Sequence, residues 1–290
     1  MRLAVLALAL AGPAFAGPAA PAPAAKVRVF PGLDVEFKTS DGWAIKAKHL
    51  PSKDGGKTVL LLHGTGGRKE DFFLLAKTLQ KRGYGYLAVD FRGHGESRTA
   101  PDGQSANWRK FPKATKVYNE FENMIRDVEA AVAYLGIQAI TEDSLVIIGA
   151  DVGASLGLKY AAVHPKLPMV VMLSPGMKYQ EVTTINAMRR YKDRPILFVY
   201  SEADKMSSHE TPILYATAKL STGESNSTVL IAPKEHGARM LRGPVVAQVL
   251  DWVADPVKPE ALTSTTTAIM PPDAQPETVE DAGEEPDSVQ

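Results

Sequence analysis

The chain has 290 residues, of which 44% are hydrophobic and 23% charged, and its 33 basic side chains balance 33 acidic ones. This is ordinary globular composition with enough apolar material for one sizeable core. Cysteine is absent, which excludes disulfides, thiolate metal sites and cysteine nucleophiles.

The N-terminal stretch MRLAVLALALAGPAFA combines Arg2, an apolar run over residues 3–11 and a small-residue ending at Ala16. The run is shorter than the roughly 20 residues that cross a bilayer. The pattern predicts a signal peptide at 1–16 and therefore an exported protein, either periplasmic or secreted. An uncleaved N-terminal anchor is the alternative. Residues 17–26, rich in Pro and Ala, are expected to form a linker.

The next segment, 27–51, alternates polar and apolar side chains around a turn at SDGW. This alternation predicts a β-hairpin at the edge of a sheet. Continuous runs rich in Val, Ile and Leu follow, and such runs are typical of strands buried on both faces of a parallel sheet. These runs cover residues 58–64, 85–91, 144–150, 169–175, 195–201 and 227–233.

Helical patterns, with apolar residues three or four apart, lie between the runs. They cover residues 71–82, 117–135, 152–164, 209–220 and 245–253. Strand and helix alternate, which predicts an α/β domain at 27–255, built on a doubly wound, mostly parallel sheet with an N-terminal antiparallel hairpin. Ligands of such sheets bind beyond the carboxyl ends of the strands.

The last segment, 256–290, is polar, acidic and rich in proline, which predicts a disordered tail. It carries eight acidic residues and one basic residue, a net charge of −7; without Arg2, residues 17–255 therefore carry about +6. The basic residues are not interleaved with aromatic ones as in a nucleic-acid-binding patch. We expect a small-molecule substrate, no nucleic acid partner and no membrane association after signal cleavage; the oligomeric state is left open.

Four predicted strand ends carry chemically active residues, and they read HGTGG (63–67), GADVG (149–153), SEAD (201–204) and EHG (235–237). The last three follow the order of α/β-hydrolase triads. In those triads the nucleophile comes first, at the sharp turn between a strand and a helix that is called the elbow, and an acid and a histidine follow it in the chain. Over residues 30–254 the chain resembles the α/β-hydrolase superfamily. It is most similar to small bacterial hydrolases whose elbow reads G-A-S-I-G-A-N and whose next strand ends L-S-P-G, as 173–176 does here. The stretch DFRGHGES is similar to the superfamily's loop after its fourth strand.

The elbow itself can be placed in two registers, because GADVG is followed two residues later by GASLG. The first register puts Asp151 where the family has serine, whereas the second puts Ser155 there. The second would extend the strand through Asp151 and bury an unpaired carboxylate, at a cost of several kcal/mol. The first is therefore favoured, with Ser155 inside the following helix.

An aspartate at this elbow suits attack on a saturated carbon. Helix N-terminal N–H groups stabilise its anion, and the alkyl ester that forms can be hydrolysed. The resemblance implies catalytic residues Asp151, His236 as base and Asp204 as its orienting acid, with the N–H groups of Thr65 and Val152 as the oxyanion hole. Haloalkane dehalogenases and epoxide hydrolases of the same superfamily use this arrangement.

Two features depart from those families. Val152 stands where they usually have Trp, and only residues 177–194 separate the sixth and seventh strands, so no large cap is expected. The function predicted is an exported hydrolase acting on a small or extended, ester-like or alkyl substrate; a non-catalytic binding protein with the same fold is the alternative.

No cofactor or metal is expected. GTGGRKE lacks the Gly-Lys-Ser/Thr ending of a phosphate-binding loop, and the histidines show no metal-ligand spacing. His63 is expected to shape its loop rather than to react.

Overall fold

The computed structural model describes residues 29–115 and 117–256. The predicted signal peptide (1–16), the linker (17–26) and the tail beyond residue 256 lie outside the described residues, and these boundaries stay predictions.

An eight-stranded sheet forms the centre of the domain, with the strand order β1-β2-β4-β3-β5-β6-β9-β10. The strands are β1 Leu33–Lys38, β2 Ala44–Leu50, β3 Thr58–Leu62, β4 Gly85–Val89, β5 Leu145–Ala150, β6 Met169–Leu173, β7 Lys178–Tyr179, β8 Val182–Thr183, β9 Ile196–Ser201 and β10 Ser227–Ala232. Strands β1 and β2 form the predicted antiparallel edge hairpin, and the sheet is parallel from β4 to β10. The short β7–β8 hairpin lies outside this sheet.

Helices cover both faces of the sheet, as the alternating pattern predicts. They are α1 Phe73–Lys81, α2 Glu120–Asn123, α3 Ile125–Ile137, α4 Val152–Val163, α5 Ile185–Tyr191, α6 Lys205–Thr222 and α7 Pro244–Ala254. Side chains of β5 alternate between two cores: Ile147 packs with residues of α3 to α6, and Ile148 packs with residues of α1 and α7. The central strands are thus buried on both sides, which explains their continuous apolar runs.

The segment between β6 and β9 contains only the β7–β8 hairpin and the seven-residue helix α5. This agrees with the expected absence of a large cap at that position. In the described part of the chain, no helix is long and apolar enough to cross a membrane.

Candidate active site

The elbow lies at the carboxyl end of β5, near the middle of the sheet. Strand pairing ends with Ala150 opposite Leu173, and α4 begins at Val152. Asp151 forms the turn between them, with φ 53° and ψ −121°, and it is the N-cap residue of α4. Such a backbone conformation is strained for a non-glycine residue and projects the side chain away from the sheet.

Close backbone packing holds this turn. A Cβ on Gly149 would lie 2.4 Å from the Gly153 carbonyl oxygen, and a Cβ on Gly153 would lie 2.5 Å from the Leu62 and His63 carbonyl oxygens. Only glycine fits at both positions without a shift of the backbone. The glycines of GADVG are therefore required by the approach of α4 to β3 and β5.

Ser155 does not reach the site. It lies in the first turn of α4, is fully buried, and its Oγ is 2.8 Å from Thr184 Oγ1. Because the Thr184 hydroxyl donates to the Gly176 carbonyl, Ser155 donates to Thr184. Of the two registers that the sequence allowed, the structure adopts the one with Asp151 at the turn.

The two oxygens of the Asp151 carboxylate have different partners. Its Oδ1 accepts the Val152 N–H and the Thr65 hydroxyl, the latter at 3.1 Å. Its Oδ2 lies 3.5 Å from His236 Nε2. Val152 thus contributes the expected backbone N–H, whereas the Thr65 contact runs through its hydroxyl instead of its N–H.

His236 and Asp204 lie on the loops that follow β10 and β9. His236 Nδ1 is 2.6 Å from Asp204 Oδ2, and Asp204 Oδ1 accepts the Ser207 N–H at 3.3 Å, so the carboxylate also caps α6. The Gly237 N–H donates to Ser174 Oγ at 2.8 Å, which ties the histidine loop to the end of β6. The structure therefore brings together all three residues that the sequence predicted as catalytic.

Two carboxylates raise the pKa of His236. The hydrogen bond to Asp151 is the main cause; burial opposes it, and the hydrogen bond to Asp204 adds to it. The imidazole is 46% exposed, so solvent screens part of this effect. Both carboxylates thus favour the protonated form of the His236 ring.

His63 is structural, as expected. Its Nε2 accepts the Phe91 N–H at 3.0 Å, so its Nδ1 carries the proton and donates to the Gly64 carbonyl at 2.8 Å. Complete burial lowers its pKa to about 4. The neutral ring fixes the loop that carries Thr65.

Comparison with known proteins gives the same fold. A family model of the α/β-hydrolase fold matches residues 57–189. The protein has the α/β-hydrolase fold.

Individual relatives of the protein are distant. A carboxylesterase of Bacillus subtilis is 28% identical over 152 residues, which are 51% of this chain and 55% of that protein. A polyketide transferase of Stachybotrys chlorohalonatus is 27% identical over 150 residues, 50% of this chain and 45% of that protein. The chain thus matches about half the length of each. An esterase structure of Pyrococcus furiosus superposes with a TM-score of 0.61 at 19% identity, covering 78% of this chain and 91% of that one; it shows the fold alone.

A cavity of about 680 Å³ opens beside the Asp151 and His236 side chains. Its wall includes several arginines and Trp108, none of which the sequence analysis selected. In the sequence, the only indication of a role for these residues is their position close to the predicted site residues. Arg98 follows the DFRGHGES stretch, and Arg239 lies three residues after His236. Among the described residues, no group of three or more His, Asp and Glu side chains has metal-binding geometry.

Proposed function

We propose that the protein is a hydrolase in which Asp151 attacks a saturated carbon, His236 activates water and Asp204 orients His236. The observation that carries this proposal is the two-sided Asp151 carboxylate, with Oδ1 held by Val152 and Thr65 and Oδ2 facing His236 and the cavity. The α/β-hydrolase fold and the relative named as a carboxylesterase support a hydrolase in general.

The chemistry follows from the positions of the two oxygens. Oδ2 forms a bond to the substrate carbon while the bond from that carbon to its leaving group breaks, which produces an alkyl ester of Asp151. Water then attacks Cγ of the ester and gives its proton to His236 Nε2. The resulting oxyanion on Oδ1 receives hydrogen bonds from the Val152 N–H and the Thr65 hydroxyl. Its collapse breaks the bond between Cγ and Oδ2; the departing alkoxide takes the proton from His236 and leaves as the alcohol, and the new carboxylic acid of Asp151 loses its proton to solvent.

Ester formation also adjusts the base. The hydrogen bond to the Asp151 carboxylate is the main cause of the raised pKa of His236. The ester is neutral, so its formation removes that cause and lowers the pKa of His236. A larger fraction of the imidazole is then neutral, and so able to accept a proton, at the step that needs a base.

The test is to trap the ester. His236→Gln should accumulate a covalent alkyl adduct on Asp151 when incubated with a panel of alkyl halides, epoxides and alkyl esters, detected by peptide mass spectrometry. A single turnover of the wild-type protein in heavy-oxygen water should place label in the Asp151 carboxylate. Turnover that leaves Asp151 unlabelled and unmodified would contradict the mechanism.

A non-catalytic binding protein is the second candidate. It is favoured by the position of His236 between two carboxylates, because both stabilise the protonated ring, which cannot act as a base. Asp151→Ser distinguishes the two candidates. If this variant gains ester hydrolysis and fluorophosphonate labelling while the wild-type protein reacts with no compound of the panel, the aspartate makes the natural site inactive and the protein is a binding protein.

We also propose export, on the sequence pattern of residues 1–16. N-terminal sequencing of the protein from its native host should begin at Gly17. A mature chain that begins at Met1 would leave the anchor as the better interpretation.

A further inference from the structure

The cavity beside Asp151 is unusual in the chemistry of its wall. Ligand pockets are mostly lined by apolar and aromatic side chains with a few polar groups. Here the apolar side chains of the wall are those of Trp108, Ala150 and Ala238, and charged side chains form most of the remainder. A purely hydrocarbon substrate would therefore gain little from binding, whereas a charged one has partners.

Arginines from three loops converge on this cavity. They follow β3 (Arg68), β4 (Arg98 and Arg109) and β10 (Arg239). Because they belong to separate strand ends, no helical or strand periodicity accounts for their grouping. The fold brings them together only at the mouth of the site.

Most carboxylates of the wall already have partners. Glu70 and Glu96 contact the buried Lys69 Nζ at 3.2 Å and 2.5 Å, and Asp71 Oδ2 accepts the Arg68 backbone N–H at 3.0 Å. None of these contacts uses the side chain of Arg98, Arg109 or Arg239.

Three guanidinium groups remain available. Among the described residues, Arg98 and Arg239 have no hydrogen-bond or ion-pair partner for their side chains, and Arg109 is stacked 4.6 Å from the Trp108 ring. Glu235 is the one carboxylate of the described wall that likewise lacks a partner. Three available guanidinium groups thus outnumber the two carboxylates of the described wall that have no ion-pair partner, Asp71 and Glu235.

The stacking also gives Arg109 a defined place. The Trp108 ring is itself stacked on the buried His94 ring at 5.3 Å with an interplanar angle of 3°. Cation–π contact with a fixed ring restricts the guanidinium while leaving its N–H donors free.

We propose that Arg98, Arg109 and Arg239 bind an anionic group of the substrate, a carboxylate or a phosphate, while another carbon of the same molecule faces Asp151. The arginine fork matches both oxyanions. The three guanidinium groups also offset the repulsion between an anionic substrate and the Asp151 carboxylate, and the net charge of about +6 on residues 17–255 favours approach of an anion. The inference rests on the proposed function only in identifying the bound anion as the substrate.

The experiment measures anion binding by NMR titration of the full chain, with the Trp108 indole signal assigned through Trp108→Phe. The probes are succinate, inorganic phosphate and neutral succinamide. Succinate or phosphate should shift the signal, and which of them binds more tightly identifies the oxyanion class. The double variant R98Q/R239Q should weaken that binding by at least about tenfold, since charged hydrogen bonds are lost. R190Q, on the exposed side of α5, should leave it unchanged.

Three outcomes would overturn the inference: no binding of either anion to the wild-type protein at millimolar concentration, equal binding by R98Q/R239Q, or equal binding of succinamide. Asp151→Asn removes a negative charge from the same cavity, so it should preserve or strengthen anion binding. Anion binding that depends on the arginines, without a trapped ester in His236→Gln, would refute the proposed mechanism and leave this inference standing. A trapped ester from neutral substrates, with no effect of the arginines on binding, would do the reverse.

Discussion

At the scale of single residues, the site depends on where protons and charges lie around His236. One ring nitrogen is 2.6 Å from Asp204 and the other is 3.5 Å from Asp151. Both carboxylates favour the imidazolium, whereas the proposed hydrolysis step needs the neutral ring. The protonation state of this histidine therefore links the geometry to the chemistry.

Replacing either carboxylate should lower the pKa of His236. We expect Asp151→Asn and Asp204→Asn each to shift the NMR titration of the His236 ring toward lower pH, because each removes a negative charge that stabilises the imidazolium. The folded pKa of His236 is raised, so its contribution to stability is complete below the ordinary value of 6.5 and is lost as pH rises through the raised value. An unchanged titration in both variants would contradict the described contacts.

Ser155→Ala should behave as a core substitution. The variant loses one buried hydrogen bond, to Thr184, and we expect the free energy of unfolding to fall by about 1 kcal/mol in urea denaturation. Thr184 keeps its bond to the Gly176 carbonyl, so no buried donor is left unpaired. Fluorophosphonate labelling should be the same in wild-type protein and Ser155→Ala; labelling that disappears with Ser155 would make this serine the nucleophile.

At the scale of elements, the site depends on how closely α4 approaches β3 and β5. The helix begins one residue after Asp151, and one glycine on each side of that residue, Gly149 and Gly153, allows the close contact. Asp204 plays a similar role at α6: it caps the helix, which begins at Lys205, four residues before the apolar periodicity indicates. Capping geometry depends on a neighbouring loop, so periodicity alone places such helix starts poorly.

Gly153→Ala tests this packing. The added Cβ would meet the Leu62 and His63 carbonyl oxygens at 2.5 Å, so we expect a loss of about 1–3 kcal/mol or more in the free energy of unfolding. Gly136→Ala, within α3 and with nothing within 4 Å of the new Cβ, is the matched control and should stabilise by about 0.5–1 kcal/mol. Equal effects of the two substitutions on urea denaturation would show that the elbow is not tightly packed.

At the scale of the whole molecule, one buried arginine joins distant parts of the chain. Arg92, fully buried after β4, contacts Asp41 in the β1–β2 turn, Glu120 at the start of α2 and Asp127 in α3, at 2.7 to 2.8 Å. Burial alone would raise the pKa of Asp41, but hydrogen bonds from Arg92 and Thr39 hold it at about 2. The network joins the loop after β4 and the helices α2 and α3 to the β1–β2 turn.

Arg92→Met should be strongly destabilising, because it leaves three acidic side chains without their shared cation. We expect a loss of about 3–5 kcal/mol at neutral pH, smaller in acid, where the carboxylates bind protons. Arg126→Met removes the exposed partner of Asp41 at 3.2 Å and should cost less than about 1 kcal/mol. Urea denaturation of both variants at neutral and acidic pH is the measurement; a small, pH-independent effect of Arg92→Met would show that the network contributes little.

By itself, the sequence determined the α/β class, the edge hairpin, the central strands and the loops that carry Asp151, Asp204 and His236. These features follow from local periodicity and from the rule that parallel strands place their carboxyl ends at one edge. The tertiary structure decided the elbow register, the use of the Thr65 hydroxyl and the grouping of Arg98, Arg109 and Arg239 around one cavity. Those features depend on contacts between residues far apart in the chain, and no local pattern encodes the distance between them.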